Sequence, residues 1–247
     1  LYIKMTILIL IFLNFFIILI SYIIGSIPSG YVLSKYFGKI DITKKGSGNI
    51  GATNVLRSGS KKLALITLLF DAFKGILPIL IFSNSTYSII LASLSAFIGH
   101  NYPIWLKFKG GKGIATYLGI SFAISLKLGF SFIIIWLITA LISKTSSISS
   151  LVSILLIPFL SFLFLDNKLI SLLFLILTSI SFYRHRSNIK RIINGNEPKI
   201  SIEEIDFYPP NTQQTIRRER NKVYGSKKFN YYACLLYTSP SPRDVLR

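Results

Sequence analysis

Residues 5–24 form an apolar run broken only by the polar residues Thr6, Asn14 and Ser21. At 1.5 Å rise per residue, about 20 such residues span the ~30 Å hydrocarbon core of a bilayer. A surface helix of that length in a soluble domain would show a polar face, and this run has none. It lacks a small-residue cleavage pattern and continues through Gly25 and Gly30 into further structure. It therefore reads as a retained helix, not a removed signal peptide. Met5 is a candidate start, with Leu1–Lys4 preceding it.

The same pattern recurs along the chain. Seven apolar segments fall at roughly 5–28, 63–83, 87–106, 113–126, 128–143, 148–165 and 169–183. The expected fold class is an all-α integral membrane protein of about seven transmembrane helices, some short or broken. A helix over 113–126 would be only about 21 Å long, so its end must rest against protein or a wet cavity. Gly25-Ser26-Ile27-Pro28-Ser29-Gly30 is expected to break and pack the first helix through small residues. No internal repeat is visible.

The formal net charge is +19. In a soluble protein that would suggest nucleic acid. Here the cations sit between apolar blocks and in the tail, which makes them a topology signal first, and no nucleic-acid partner is expected. When sides are alternated, the basic stretches 29–62 and 107–112, Lys144 and the segment from Arg184 onward fall together. Lys4, the Asn-Ser-Thr turn at 84–86, Lys127 and the Asp166/Lys168 turn fall opposite. The positive-inside rule makes the first side cytoplasmic, with the N-terminus outside and the C-terminus inside. Merging 113–143 into one span would put the arginines from Arg184 onward outside, so two spans are expected there.

Residues 1–205 are expected to form one transmembrane domain. Residues 206–247 form a basic tail without periodicity, expected to be disordered, and 234–247 read as adaptor-derived. Cys234 is the single cysteine, and His100 and His185 are the two histidines. That composition offers no disulfide framework and no cysteine- or histidine-based metal cluster, so neither metal nor cofactor is expected.

Three polar stretches on the basic side could carry chemistry. In the first, residues 47–57, Gly48 and Gly51 allow close backbone approach to a ligand. Ser47, Asn54 and Arg57 offer donors there, and Arg57 can grip a phosphate with two parallel hydrogen bonds. The plain alternative is a glycine-rich turn with a solvated arginine. The second, residues 109–113, places Gly110, Gly111, Lys112 and Gly113 at the start of an apolar helix. Free amides at a helix N-terminus plus a lysine make an anion cradle. It is not a Walker A loop, because Gly113 stands where a hydroxyl residue is needed. The plain alternative is a flexible basic turn. The third starts where the last span ends. His185 and Asn188 are three residues apart and share a helix face, as do Arg184 and Asn188. A juxtamembrane basic anchor for anionic lipid would explain the arginines, but not His185, Asn188 or Glu197.

Within the spans, Asp71 and Lys74 are also three residues apart. Intramembrane charges are costly, and a mutually neutralising structural pair is the preferred reading. His100 is expected to be satisfied by a backbone carbonyl.

Taken together, GSIPSGY, GSGNIGATNVLR, DAFKG, GHNYPIWLKFKGGKGIAT and YRHRSNIKR with its following Gly195-Asn196-Glu197 resemble the bacterial acyl-phosphate:glycerol-3-phosphate acyltransferases, the PlsY family. The matches occur in family order over roughly residues 21–200. The resemblance implies a seven-helix enzyme of the bacterial cytoplasmic (inner) membrane, with its site on the cytoplasmic side. It implies that Ser47, Arg57, Lys112 and the 110–113 backbone hold phosphate groups, with Gly48, Gly51, Asn54 and Arg184 as further phosphate-binding candidates. It places His185 and Asn188 in the active site, with Glu197 bracing the third motif. The implied partners are acyl phosphate, glycerol-3-phosphate and membrane lipid.

An acyl phosphate is already activated, so no enzyme nucleophile is required, and no G-x-S-x-G elbow is found. The expected reaction is direct attack of the glycerol-3-phosphate 1-hydroxyl on the acyl carbonyl, giving lysophosphatidic acid and phosphate. The base is either His185 or the substrate phosphate. The rival reading is a transporter for an organic phosphate anion, which would also use broken helices and glycine-rich anion sites. A noncatalytic membrane subunit would need no such polar set facing one side.

Overall fold

The computed structural model describes residues 2–200, which carry α-helices and 3-10 turns and no strand. The expected tail beyond 205 lies outside the described residues. Seven apolar helices fall on the seven expected segments, shifted by a few residues at their ends. They are α1 (Tyr2–Ser26), α4 (Lys61–Ile81), α5 (Thr86–Asn101), α6 (Ile114–Ile124), α7 (Leu126–Ser143), α8 (Ser146–Phe164) and α9 (Lys168–Arg184). Three short helices join them: α2 (Ser29–Tyr36), α3 (Ala52–Arg57) and α10 (Arg186–Ile193). By length and composition five helical segments can cross a membrane, or up to six if the pair α9 and α10, bent by 61°, is one span. The α6 helix has only 11 residues, about 17 Å of rise.

Local chemistry explains the boundaries. Ser60 and Ser85 accept amide hydrogens from Leu63 and Ser88 to cap α4 and α5, and Asn167 accepts from Leu169 to cap α9. Two helices replace one over 113–143 because Ser125 turns extended (φ −158°, ψ 124°). The chain then folds back, with Phe122 packed edge-on against Phe130 at 5.3 Å. The loop chemistry also sorts the two ends. Asn167 donates to Thr86 Oγ1 (2.9 Å), joining the turns before α5 and α9. At the other end, the Thr53 and Ser146 hydroxyls meet at 3.2 Å, and the Ile200 amide donates to the Lys144 carbonyl at 2.7 Å.

Packing inverts the pattern of a soluble protein. Leu65, Leu69 and Phe70 of α4 and Leu141 and Ile142 of α7 point outward, as helices solvated by lipid require. Backbones come close where glycine permits it. A Cβ on Gly119 of α6 would lie 2.0 Å from the Ala72 carbonyl oxygen of α4, and one on Gly25 of α1 would lie 2.1 Å from that of Ala96 on α5. The core joins α5 to α9 through Phe97, Tyr117, Leu128, Ile154 and Phe174. Pro158 sits inside α8 and has no N–H for the carbonyl four residues earlier, that of Ile154. Thr178 Oγ1 of α9 donates to that orphan at 2.8 Å. The Tyr117 hydroxyl of α6 therefore donates to Thr178 Oγ1, at 3.0 Å. One proline thus ties three helices together inside the apolar layer.

Candidate active site

The loop before α3 is organised around Asn54, which is 1% exposed. Its Oδ1 accepts the Ser47 amide (3.0 Å), and its Nδ2 donates to the Asn49 (2.8 Å) and Lys45 (3.0 Å) carbonyls, with Ile42 O at 3.2 Å. Its polar capacity is spent inside the protein. This corrects the expectation that Asn54 binds phosphate, because the side chain builds the loop. Gly48 has φ +69°, a conformation that favours glycine. Gly51 caps α3 in extended conformation. Ser47 and Arg57 stay exposed, and Arg57 Nη2 donates to the Pro198 carbonyl at 3.4 Å.

The glycine loop before α6 departs from expectation in a similar way. The Gly110 amide donates to Asn101 O (3.2 Å) and the Gly111 amide to His100 O (3.1 Å). Their carbonyls accept from Arg184, Nη2 to Gly110 at 2.8 Å and Nε to Gly111 at 3.1 Å. The Arg184 guanidinium also lies 5.0 Å over the Tyr102 ring. The amides of Gly110 and Gly111 are therefore spent on carbonyls of α5 and not free for an anion cradle, and Arg184 clamps the loop through two of its donors. Gly113, φ +85°, caps α6 and rests on Phe97. The Lys112 ammonium and the first turn of α6 remain to face a ligand.

At the α9–α10 bend, His185 is 2% exposed and its Nδ1 lies 2.8 Å from the Ser181 carbonyl. A carbonyl only accepts, so Nδ1 carries the hydrogen and Nε2 is left with a lone pair. Asn188 Oδ1 accepts from the Lys112 ammonium. Its Nδ2 donates to Glu197 Oε1 at 2.7 Å. Glu197 also accepts from Ser147 (2.8 Å) and Arg191 Nε (2.7 Å). Burial pushes the Glu197 carboxyl up, but donation from Arg191, Asn188 and Ser147 outweighs it and holds the pKa below the ordinary value. Burial lowers the Lys112 ammonium to about 8, with Arg191 adding repulsion and Glu197 opposing.

Deeper in the membrane layer, Asp71 and Lys74 form the expected pair at 2.6 Å. It extends further than expected. Ser29 Oγ donates to Asp71, and Lys74 donates to the Ile27 carbonyl left open by the break after α1. His100 departs from expectation. Its Nδ1 lies 3.6 Å from Asp71 Oδ1 and has no hydrogen-bond partner.

One cavity of about 360 Å³ connects these groups. Ser47, Arg57, Lys112, His185 and Asn188 line its polar end, and Leu68, Leu118, Phe132, Ile133 and Trp136 its apolar wall. Phe132 lies eleven residues before the end of α7 at Ser143, so the slot reaches ~16 Å into the bundle. Ser146, Ser147 and Ser150 also line it, a set the sequence reading left out. Their signal was present, since serines crowd the start of an otherwise apolar helix just after Lys144. Two cationic groups, a histidine lone pair and an apolar slot together suit a reaction between an anionic head group and a lipid-like donor.

Comparison with known proteins points to the same chemistry. The family model described as glycerol-3-phosphate acyltransferase matches residues 15–195. A glycerol-3-phosphate acyltransferase of Pelagibacter ubique is 53% identical over 184 residues, covering 74% of this chain and 95% of the relative. One of Brucella canis is 45% identical, covering 74% and 91%. The fold is similar to the crystal structure of PlsY, an integral membrane glycerol 3-phosphate acyltransferase, in its glycerol 3-phosphate form. The TM-score is 0.74 at 31% identity, covering 79% of this chain and 99% of that one. The lysophosphatidic acid form of PlsY gives a TM-score of 0.71 at 30% identity, covering 78% and 97%.

Proposed function

Since the chain belongs to the glycerol-3-phosphate acyltransferase family, we propose that it moves a fatty acyl group from acyl phosphate to the 1-hydroxyl of glycerol-3-phosphate. The products are lysophosphatidic acid and phosphate. The observation that carries this is the convergence of Arg57, Lys112, His185 and Asn188 on one cavity whose other wall is apolar. The family and both structural neighbours are acyltransferases by description, and the transporter alternative is set aside.

Two phosphate-bearing substrates repel one another. At an effective dielectric of about 20, each pair of unit charges ~5 Å apart costs about 3 kcal/mol. Arg57 and Lys112 offset that repulsion by binding the phosphates, and the exposed Ser47 hydroxyl donates at the same end. The acyl chain lies along the wall formed by Leu118, Phe132 and Trp136. The glycerol hydroxyl oxygen attacks the acyl carbonyl carbon. The carbon–oxygen bond to phosphate breaks, and phosphate leaves with the electron pair. The hydroxyl proton passes to His185 Nε2 or to a phosphate oxygen. Asn188 positions Lys112, and Glu197 accepts from Asn188 while Ser147 and Arg191 hold the carboxylate in place. Asp71 and Lys74 support the frame behind the site.

The chain sits in the bacterial inner membrane with this site on the cytoplasmic side, the N-terminus outside and seven crossings in all. The gathering of Lys144, Arg57, Lys112 and Arg184 at one end of the bundle, together with the positive-inside rule, supports that orientation. Purified protein in detergent, given acyl phosphate and labelled glycerol-3-phosphate without acyl-CoA or carrier protein, should form labelled lysophosphatidic acid. Failure to do so, with turnover on acyl-CoA instead, would reject the donor assignment. Near-normal turnover of a folded His185→Ala protein would leave the proton to the substrate phosphate.

A further inference from the structure

His100 is buried and lines the cavity, yet the transfer chemistry described above gives it no task. Its main chain and its ring act on the same neighbour. The carbonyl accepts the Gly111 amide at 3.1 Å. The imidazole lies so close beneath Gly111 that an added Cβ would sit 2.1 Å from Nε2 and 2.8 Å from Cε1. From the far side, Arg184 holds the Gly110 and Gly111 carbonyls. The loop is thus gripped from two sides, directly before Lys112. Behind the ring, Nδ1 faces Asp71 Oδ1 at 3.6 Å without a hydrogen bond. Asp71 is itself held by Lys74 at 2.6 Å and by the Ser29 hydroxyl. Five elements therefore meet around this contact: α2, α4, α5, α9 and the glycine loop.

We propose that His100 is a positioning residue for Lys112: its imidazole, seated on the buried Asp71–Lys74–Ser29 cluster, is the floor that sets the height of Gly111 and so aims the ammonium at Asn188 and the cavity. The catalytic part of this assignment rests on the acyltransferase reading above, but the placement of the lysine does not. It also accounts for a glycine at position 111, because any side chain there meets the ring.

A rescue experiment tests it. Gly111→Ala drives a methyl into the imidazole. Relief needs more than 1 Å of movement in the loop or in the ring that supports it, and a misplacement of Lys112 of that size costs about 100-fold in kcat/KM. His100→Ala removes the floor and should lower kcat/KM for glycerol-3-phosphate about tenfold, by the same loss of positioning. The double variant His100→Ala/Gly111→Ala has room for the methyl. It should recover to about the level of His100→Ala alone, a non-additivity that two independent lesions would not give. Thermal unfolding in detergent accompanies each assay.

A second readout needs no turnover. The pH dependence of Lys112 labelling by an amine reagent, read by mass spectrometry, should have its midpoint near 8 in the parent protein. The midpoint should move toward the ordinary lysine value of about 10.4 when His100→Ala lets the amine swing into water. His100→Gln, which keeps bulk under Gly111, should stay near the parent midpoint. An unchanged midpoint in His100→Ala overturns the proposal. So does a double variant no more active than Gly111→Ala while both remain folded. If Gly111→Ala does not fold, the labelling of His100→Ala and His100→Gln decides. If the parent protein shows no acyl transfer but the midpoint moves as described, the acyltransferase reading fails and the positioning role stands.

Discussion

Lys112 gives the most direct route from geometry to a measured curve. Its ammonium must be charged to hold a phosphate, yet burial and the neighbouring Arg191 lower its pKa to about 8. A lysine in water would stay charged to about 10.4. For a lowered lysine the charged form is the one lost as pH rises through the folded value. Between about pH 7 and about pH 9 the charged fraction falls from ~0.9 to ~0.1, about tenfold. The second ionisation of a phosphate monoester has its midpoint near pH 6 and is about nine-tenths complete by pH 7, so the substrate charge is nearly constant over that window. The profile of kcat/KM for glycerol-3-phosphate, which reports the free enzyme, should therefore fall about tenfold across it. The kcat profile should fall later, because a bound phosphate raises the ammonium's pKa. Lys112→Arg keeps its charge throughout and should flatten the alkaline limb, though at a lower plateau, since a guanidinium does not reproduce the contact to Asn188. Initial rates corrected for spontaneous hydrolysis of the acyl phosphate would show this. A parent profile flat to about pH 10 would refute the assignment of Lys112 as the charged phosphate ligand.

Three further outcomes follow from the packing. Thr178→Val leaves the Ile154 carbonyl without its donor and should cost about 1–3 kcal/mol in detergent melts. In a Pro158→Ala background, where an amide is restored to that carbonyl, the loss should shrink. Asn54→Ala strips donors from the Asn49 and Lys45 carbonyls and should destabilise by about 1–3 kcal/mol, with activity falling further than stability because Ser47 and Arg57 ride on that loop. Glu197→Gln keeps an acceptor for Asn188 and Ser147 but loses the charge facing Arg191. In the parent, the carboxylate's lowered pKa contributes stability above about pH 4.3 that is lost as pH falls through the folded value, and the Gln protein should lack that acid-side decline. Differential melts across acidic buffers would show the difference.

Much of this fold was legible because lipid leaves a chain few options. Segments long and apolar enough to cross had to be helices, and they are, from Tyr2–Ser26 to Lys168–Arg184. The sorting of loops was legible through charge, and the Asn167–Thr86 and Thr53–Ser146 contacts place the expected neighbours together. The stretch 29–62 was harder. It reads as a polar loop but holds two short helices and a 3-10 turn, because its order comes from Asn54 and not from periodicity. The donors on Asn54 and Arg184 are legible in the sequence, but the carbonyls they reach are not. A sequence shows that a side chain can donate, whereas the acceptors that consume it come from residues distant in the chain. The glycine amides at 110 and 111 illustrate the same point, since the carbonyls that take them belong to the end of α5. Ser146 and Ser147 do not stand out in the sequence, because hydroxyls near a membrane boundary carry little information until a cavity is seen beside them.

The central claim is that donors from three separated segments meet around one phosphate-binding end beside an apolar slot. A crystal or cryo-electron structure of the protein with glycerol-3-phosphate tests it most directly. The phosphate should lie within about 3 Å of donors on Arg57 or Lys112, with the glycerol 1-hydroxyl facing the wall formed by Leu118 and Trp136. A phosphate held elsewhere, or Arg57 and Lys112 found on opposite sides of the membrane, would contradict the account.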